Sequence, residues 1–561
     1  MRTSALSASF AATTHLTRRN LLRVFGVASG SVVASSLVPP GRSSASTPVP
    51  GSASPVANAS LAETIAEVMQ KPRYAKSNWN ILVADVATGE TLYELNPDQM
   101  ALTGSVRKLF SVGLALKEVG ADHRFTTPVY RQGDVDVDGV LSGNLILVAA
   151  GDLTLGGRLN ADGTILYTDF DHNDANNLGT AILAPQDPLH GLDDLARQVR
   201  ASGIRAVTGD VLIDDRLFDS FRVPNQNLLI TPIMVNENMI DVTVTPTQVD
   251  QPASIAWRPE TAAFSVTGTV RTTAVGTPDT VALSDDGLVQ CIGEIGCSGT
   301  VEGDIPIDYR APLSDSTEMV QTFRIEDPAA FARIAFIEAL KRAGVTVQAP
   351  LITTDTTGNL PASDAYVAST RVAEFVSPPY SEYARLILKV SLNLGANLSL
   401  MLFGLTQGKR TITGALAAER QTLVDSLGIQ AGAFHFPTNG SGSPDSQASP
   451  RATVRLLTEM GKTSDAGQYK AALPILGVDG SLAHSGTSLP ARGHVFAKTG
   501  TTLDDTGLKA QTLAGYIDAL SGRKLAFAVF LNDAGPVESI SDVTEVFEDE
   551  AVITNAIYES S

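Results

Sequence analysis

The sequence predicts an α/β (α+β) protein, a sheet packed with helices and interrupted by a large, mostly β insert. Three observations predict it. Helical and strand periodicities follow one another closely at both ends of the chain. Between them, from about residue 128 to residue 373, short β-rich runs broken by Gly, Pro and Asp take over, far too long a stretch for an ordinary loop. And 561 residues exceed what one hydrophobic core serves, so two or three domains are expected.

The elements follow in order. Leu61, Ile65 and Val68 lie on one helical face, with Ser60 as a candidate N-cap. Two strands, 80–86 and 90–95, are joined by a turn at Ala87-Thr88-Gly89. From 104 to 120 a buried helix carries Val106, Leu109, Phe110, Gly113 and Leu116 on one face and stops at Gly120. In the insert, strands are expected at 145–148, 211–213, 240–244 and 263–270, and a helix at 327–344 with Phe331, Ile334, Ile337 and Leu340 inward. A long apolar helix is expected over 381–404 and another over 451–460. Residues 493–533 read as β, with a Ser521-Gly522 turn, and Val543, Val546, Phe547, Ala551 and Ile557 mark a closing helix. No repeat of solenoid or propeller length is present.

The N-terminus reads as a targeting segment. Arg18-Arg19 and two leucines precede a mildly apolar run over 24–38, too short and too polar for a bilayer span of roughly 20 apolar residues. This is the build of a signal peptide with a twin-arginine n-region, with small residues near Ser43-Ser44-Ala45 for cleavage. A short uncleaved anchor is the alternative. The expected divisions are 1–45 signal peptide, 46–58 linker, 59–127 and 374–561 the two parts of the sheet-and-helix domain, and 128–373 the insert. The mature chain is expected to be exported, without an integral membrane span. Lys and Arg total 41 against 60 Asp and Glu, a net charge of −19, which disfavours nucleic acid and anionic lipid as partners. The composition, 43% hydrophobic and 18% charged, is that of a globular protein. Cys291 and Cys297 are compatible with a disulfide or with free thiols. Two cysteines do not make a structural zinc site, and no pair of the seven histidines has zinc-protease spacing, so no metal and no cofactor are expected.

Three short motifs carry the chemistry. Ser105-Val106-Arg107-Lys108 places an amine one turn from a hydroxyl on a helix. A desolvated lysine near another cation loses proton affinity and can act as a base. Alone the pattern is weak, and a helix-start serine beside a solvated lysine would read the same. Ser391-Leu392-Asn393 is polar punctuation in an apolar stretch, which taken alone is better explained by local backbone bonding. Lys498-Thr499-Gly500-Thr501, expected at a strand end, suits an anionic group, but an isolated copy would be an ordinary polar turn.

In this order the three motifs resemble the serine, Ser-x-Asn and Lys-Thr-Gly elements of penicillin-binding proteins and serine β-lactamases. Asn439-Gly440-Ser441-Gly442, 477–482, 512–516, Ala150 to Leu155, 214–219 and 235–238 are similar to segments of the D-Ala-D-Ala carboxypeptidase/endopeptidase family, the class C low-molecular-mass penicillin-binding proteins. Compact β-lactamases lack room for the stretch between Ser105 and Ser391. Leu392, Leu153 and Asn439 depart from the family pattern without removing a catalytic group.

The resemblance implies a penicillin-binding, β-lactamase-like transpeptidase domain carrying two small, mostly β domains. It implies a D-Ala-D-Ala carboxypeptidase acting on peptidoglycan stem peptides, with Ser105 as nucleophile and Lys108 as base. Ser391 would relay a proton, Asn393 hold the substrate amide, and Lys498 tune the field. Thr499, Gly500 and Thr501 would receive the terminal carboxylate, and the backbone N–H groups of Ser105 and Thr501 the oxyanion. β-Lactams would be covalent inhibitors. A DD-endopeptidase uses the same residues. A β-lactamase or esterase, and a catalytically silent wall-binding protein, are the remaining alternatives.

Overall fold

The computed structural model describes residues 59–179, 181–353 and 360–561. The expected signal peptide and linker lie outside them. The helix Ala59–Met69 begins before Ser60, which is therefore not its cap.

Two strands from near the N-terminus, Asn78–Asp85 and Thr91–Leu95, share one antiparallel sheet with three from the C-terminal end, Lys524–Asn532, Gly507–Asp518 and Val495–Asp504. Residues 78–85 pair with 525–532 along their whole length. Both faces of the sheet are covered, which is why residues 81–84 and 525–531 of its central strands read as unbroken apolar runs. Ile81, Val83, Phe527, Val529 and Leu531 face the helices Ala59–Met69 and Ile540–Ser560, sharing a core with Ile65, Val546 and Ile557. Leu82, Ala84, Ala526, Ala528 and Phe530 point the other way, into a core with Leu109, Phe110, Leu456 and Leu457 of the helices Lys108–Val119 and Pro450–Met460. The alternation is the period of two of a pleated strand.

The long helix expected over 381–404 is two helices, Tyr380–Lys389 and Asn393–Thr406. Ser391 sits in the break with φ +63, a left-handed conformation that costs a serine about 1–3 kcal/mol. The break is held from outside: Lys389 Nζ donates to both Asp479 carboxylate oxygens at 2.6 Å, tying the end of the first helix to the 475–482 loop. The pattern reading also did not place the helices Ile412–Asp425 and His190–Ala201.

The chain leaves the sheet domain along Arg124–Val135 and returns along Arg371–Pro379, which pair antiparallel. These two strands belong to a six-stranded sheet with Val140–Val148, Ala206–Val207, Val211–Asp214 and Thr346–Val347. Beyond it, residues 239–325 form two further four-stranded sheets. Leu145, Val211, Leu195 and Ile334 share one connected core with Val270, Val301 and Phe323. So the insert is β-rich but also packs the helices His190–Ala201 and Pro328–Arg342. A disulfide joins Cys291 to Cys297. Among the described residues no helix is long and apolar enough to cross a membrane.

Candidate active site

The candidate site lies where the edge strand Val495–Asp504 meets the start of the helix Lys108–Val119. That helix does not begin as α. Gly104–Arg107 is a 3-10 turn leading into it. In a 3-10 turn residues three apart eclipse one another, so Ser105 and Lys108 stack directly. Lys108 Nζ lies 2.6 Å from Ser105 Oγ. It also reaches Asn393 Oδ1 at 2.7 Å, the Ser441 carbonyl at 3.1 Å and Ser391 Oγ at 3.3 Å. Ser391, at the left-handed break between the two helices, presents its hydroxyl to this amine.

Arg107, within the same turn, points away and is fully buried. It pairs with Glu419 through both nitrogens, at 2.8 and 2.5 Å, under the ring of Phe436. This anchors the turn from behind while Ser105 stays half-exposed at the front.

Lys498-Thr499-Gly500-Thr501 stands mid-strand, not at a strand end: pairing continues to Asp504. A polar stretch reads as a turn in sequence, but this one lies on the edge strand of the sheet, which pairs along one side with Gly507–Asp518. Gly500 serves the protein before any ligand. A Cβ there would meet the Thr103 carbonyl and Thr512 Oγ1 at 2.3 Å. Gly104, with φ +47, faces it, and a Cβ there would lie 2.7 Å from the Thr501 nitrogen. Two glycines thus let turn and strand touch through their backbones, bringing the Thr501 amide beside the residue that precedes Ser105. Thr499 Oγ1 shares a hydrogen bond with Ser481 Oγ at 2.8 Å, and Thr501 Oγ1 donates to Gln511 Oε1 at 2.8 Å.

Both lysines are fully buried. Burial pushes the Lys498 amine down to about 7, against a smaller upward pull from Asp174. Lys108 is held well below the ordinary lysine range, first by burial and then by the Lys498 charge, with Asp174 again opposing. An amine so placed is available as a free base near neutral pH.

The arrangement of a hydroxyl on a depressed-pKa amine, a Ser-x-Asn pair and a Lys-Thr-Gly edge strand has a counterpart among known proteins. The model of the D-Ala-D-Ala carboxypeptidase 3 (S13) family matches residues 61–550. The chain belongs to this family. A D-alanyl-D-alanine carboxypeptidase of Actinomadura sp. (strain R39) is 28% identical over 502 residues, covering 85% of this chain and 82% of the relative. The crystal structure of penicillin binding protein 4 (dacB) from Haemophilus influenzae matches with a TM-score of 0.64 over 88% of this chain and 99% of its own, at 20% identity. The same protein complexed with a novel β-lactam gives 0.61 with the same coverage and identity. These two structures establish the shared fold.

The structure brings Ser105, Lys108, Ser391 and Asn393 into one hydrogen-bonded cluster, with Lys498 to Thr501 on the strand beside it. The S13 departures are absorbed locally. Leu392 is buried. Leu153 is buried beside Gly395, while Asp152 Oδ1 accepts from Tyr383 Oη at 2.6 Å and ties the insert to the helix Tyr380–Lys389. Asn439 Oδ1 accepts from the Ser441 and Gly442 amides at 2.9 and 2.7 Å, a task an amide oxygen performs as a carboxylate would.

Four functional neighbours escaped the sequence reading. Ser441, inside a segment noted only for its resemblance, supplies the carbonyl that accepts from Lys108. Asn225, Gln226 and Asp174 come from the insert. Asn225 Nδ2 donates to Ser441 Oγ at 3.0 Å, and Asn393 Nδ2 donates to Gln226 Oε1 at 3.1 Å.

Proposed function

We propose that this S13 chain is a serine D-Ala-D-Ala carboxypeptidase that acts on peptidoglycan stem peptides through an acyl-enzyme on Ser105. The observation that carries the reading is the 2.6 Å contact between the Ser105 hydroxyl and the buried, low-pKa Lys108 amine. Lys108, as free amine, takes the Ser105 proton while Oγ attacks the carbonyl of the penultimate D-Ala. The oxyanion meets the backbone N–H groups of Ser105 and Thr501, donors of this kind being worth about 3 kcal/mol each in the transition state. The proton then passes from Lys108 through Ser391, 3.3 Å away, to the leaving D-Ala nitrogen. Asn393 holds the substrate amide and orients Lys108. Lys498, Thr499 and Thr501 receive the terminal carboxylate, and Lys498 also keeps Lys108 deprotonated. Water releases the acyl group, regenerating Ser105. A β-lactam follows the same path to a slowly hydrolysed ester.

The division into a catalytic domain built from 59–127 and 374–561, with 128–373 inserted, is supported by the mixed origin of the five-stranded sheet. Activity on the cell wall places the mature chain outside the cytoplasm, and Arg18-Arg19 with the run that follows supports export by a twin-arginine signal peptide.

Fluorescent penicillin tests the reading. The parent should be labelled covalently, with the mass increase on the peptide bearing Ser105, and Ser105→Ala should stay dark. Label on any other residue would refute the assignment.

A further inference from the structure

One turn of the insert reaches the candidate site. Residues Asn225–Asn227 carry two consecutive left-handed side-chain-bearing residues, Gln226 at φ +59 and Asn227 at φ +51. Such conformations persist only where the surroundings over-determine them. Here they do: Asn225 is tied to Ser441, Arg324 Nη1 donates to the Gln226 carbonyl at 2.6 Å, and Arg222 Nη1 donates to the Asn227 carbonyl at 3.2 Å.

A second turn, His172–Asp174, stands behind the first. Its anchor is a buried ionic knot. Arg158 pairs bidentately with Asp171, at 2.7 and 2.9 Å, and with Glu237, at 2.7 and 2.8 Å. His172 is clamped between Asp241, at 2.6 Å, and Glu237. The knot leaves Asp174 within reach of Gln226.

The side chains then form a line. Gln226 Nε2 donates to Asp174 Oδ1 at 3.4 Å, Asn393 Nδ2 donates to Gln226 Oε1 at 3.1 Å, and Lys108 Nζ donates to Asn393 Oδ1 at 2.7 Å. The direction of this line is set at its far end. A carboxylate only accepts, so Gln226 must turn its NH2 toward Asp174 and its oxygen toward Asn393. Asn393 must then turn its NH2 toward Gln226 and its oxygen toward Lys108. An asparagine reversed here would donate to the amine, taking up the lone pair that has to face Ser105.

We propose that Gln226 and Asp174, both from the insert, are positioning residues for acylation: together they hold the Asn393 amide with its oxygen toward Lys108, leaving the amine lone pair for Ser105. The insert is thereby a working part of the active site, which explains why its turns are strained and buttressed. The proposal rests on Lys108 being the base for Ser105.

The test is the second-order rate of penicillin acylation, as a function of pH, for the parent, Asp174→Asn, Asp174→Glu and Gln226→Leu. The charged groups facing Lys108 are Lys498 and Asp174, and those facing Asp174 are Lys108, Lys498 and Asp171. Asp174→Asn, nearly identical in shape, should acylate about tenfold slower, because an amide no longer fixes the direction of the line. Asp174→Glu, larger but still only an acceptor, should recover most of the rate. Gln226→Leu should be slowed at least as much as Asp174→Asn. The acid limb should move to lower pH in Asp174→Asn, which loses a charge favouring protonated Lys108, and stay in place in Gln226→Leu. Rates within twofold of the parent for both Asp174→Asn and Gln226→Leu, or a Glu variant slower than the Asn variant, would overturn the proposal. A parent that penicillin does not label at all would sink the underlying reading of Lys108 as well.

Discussion

A Cβ on Gly500 would stand 2.3 Å from the carbonyl oxygen of Thr103, closer than non-bonded atoms approach. The edge strand and the turn Gly104–Arg107 therefore meet backbone to backbone, and their separation sets where the Thr501 and Ser105 amides point. Gly500→Ala should push the turn off the strand. An error near 1 Å at reacting groups costs about a hundredfold, so penicillin acylation should slow by that order. A parent-like rate would mean the turn can give way without cost to the site.

Lys498 acts on Lys108 at a distance. Its charge disfavours a second proton nearby, so it helps keep Lys108 free. Lys498→Ala should raise the Lys108 pKa, and the free amine would then be lost at a higher pH on acidification. The acid limb of the acylation profile should move to higher pH, in addition to any drop in plateau from the lost carboxylate contact. A limb that stays put would separate the two lysines.

Behind Ser105, Arg107 and Glu419 form a fully buried pair. Removing one partner of such a pair leaves an uncompensated charge and costs about 3–5 kcal/mol. Glu419→Ala should lower the thermal midpoint strongly, and acylation with it, because Arg107 lies inside the turn that carries Ser105 and Lys108. An unchanged melting curve would mean the pair contributes nothing to the fold.

The ionic knot of the insert predicts a pH dependence of stability. Burial pulls the His172 imidazole down, but the Asp241 and Glu237 carboxylates outweigh it and lift it to about 10 from 6.5. A raised value means that the charged form is favoured by folding. Its contribution is complete below the unfolded value of about 6.5 and is lost as pH rises toward 10. The gap in melting temperature between the parent and His172→Ala should therefore narrow from pH 6.5 to pH 10. A constant gap would show that the imidazole is not charged in the fold.

The local parts of the site were legible in the sequence because each is a short run that resembles a family motif: Ser105 with Lys108, Ser391 with Asn393, and Lys498 to Thr501. The sheet packed with helices was legible through periodicity. The break at Ser391 was not, since the apolar pattern runs through it and only the Lys389–Asp479 tie and the packing at Gly395 show why the helix stops. The helix His190–Ala201 did carry a signal, in Leu192, Leu195, Ala196 and Val199 at helical spacing. Asp174, Asn225 and Gln226 gave none. They lie far from every motif, in turns whose composition is ordinary, and only the path of the insert back to the candidate site gives them a role.

The central claim is tested most directly by release of D-alanine from a peptide ending in D-Ala-D-Ala, with the mature protein and Ser105→Ala side by side. The account predicts release by the parent and none by the variant. Release by both would contradict it, because another residue would then be doing the chemistry.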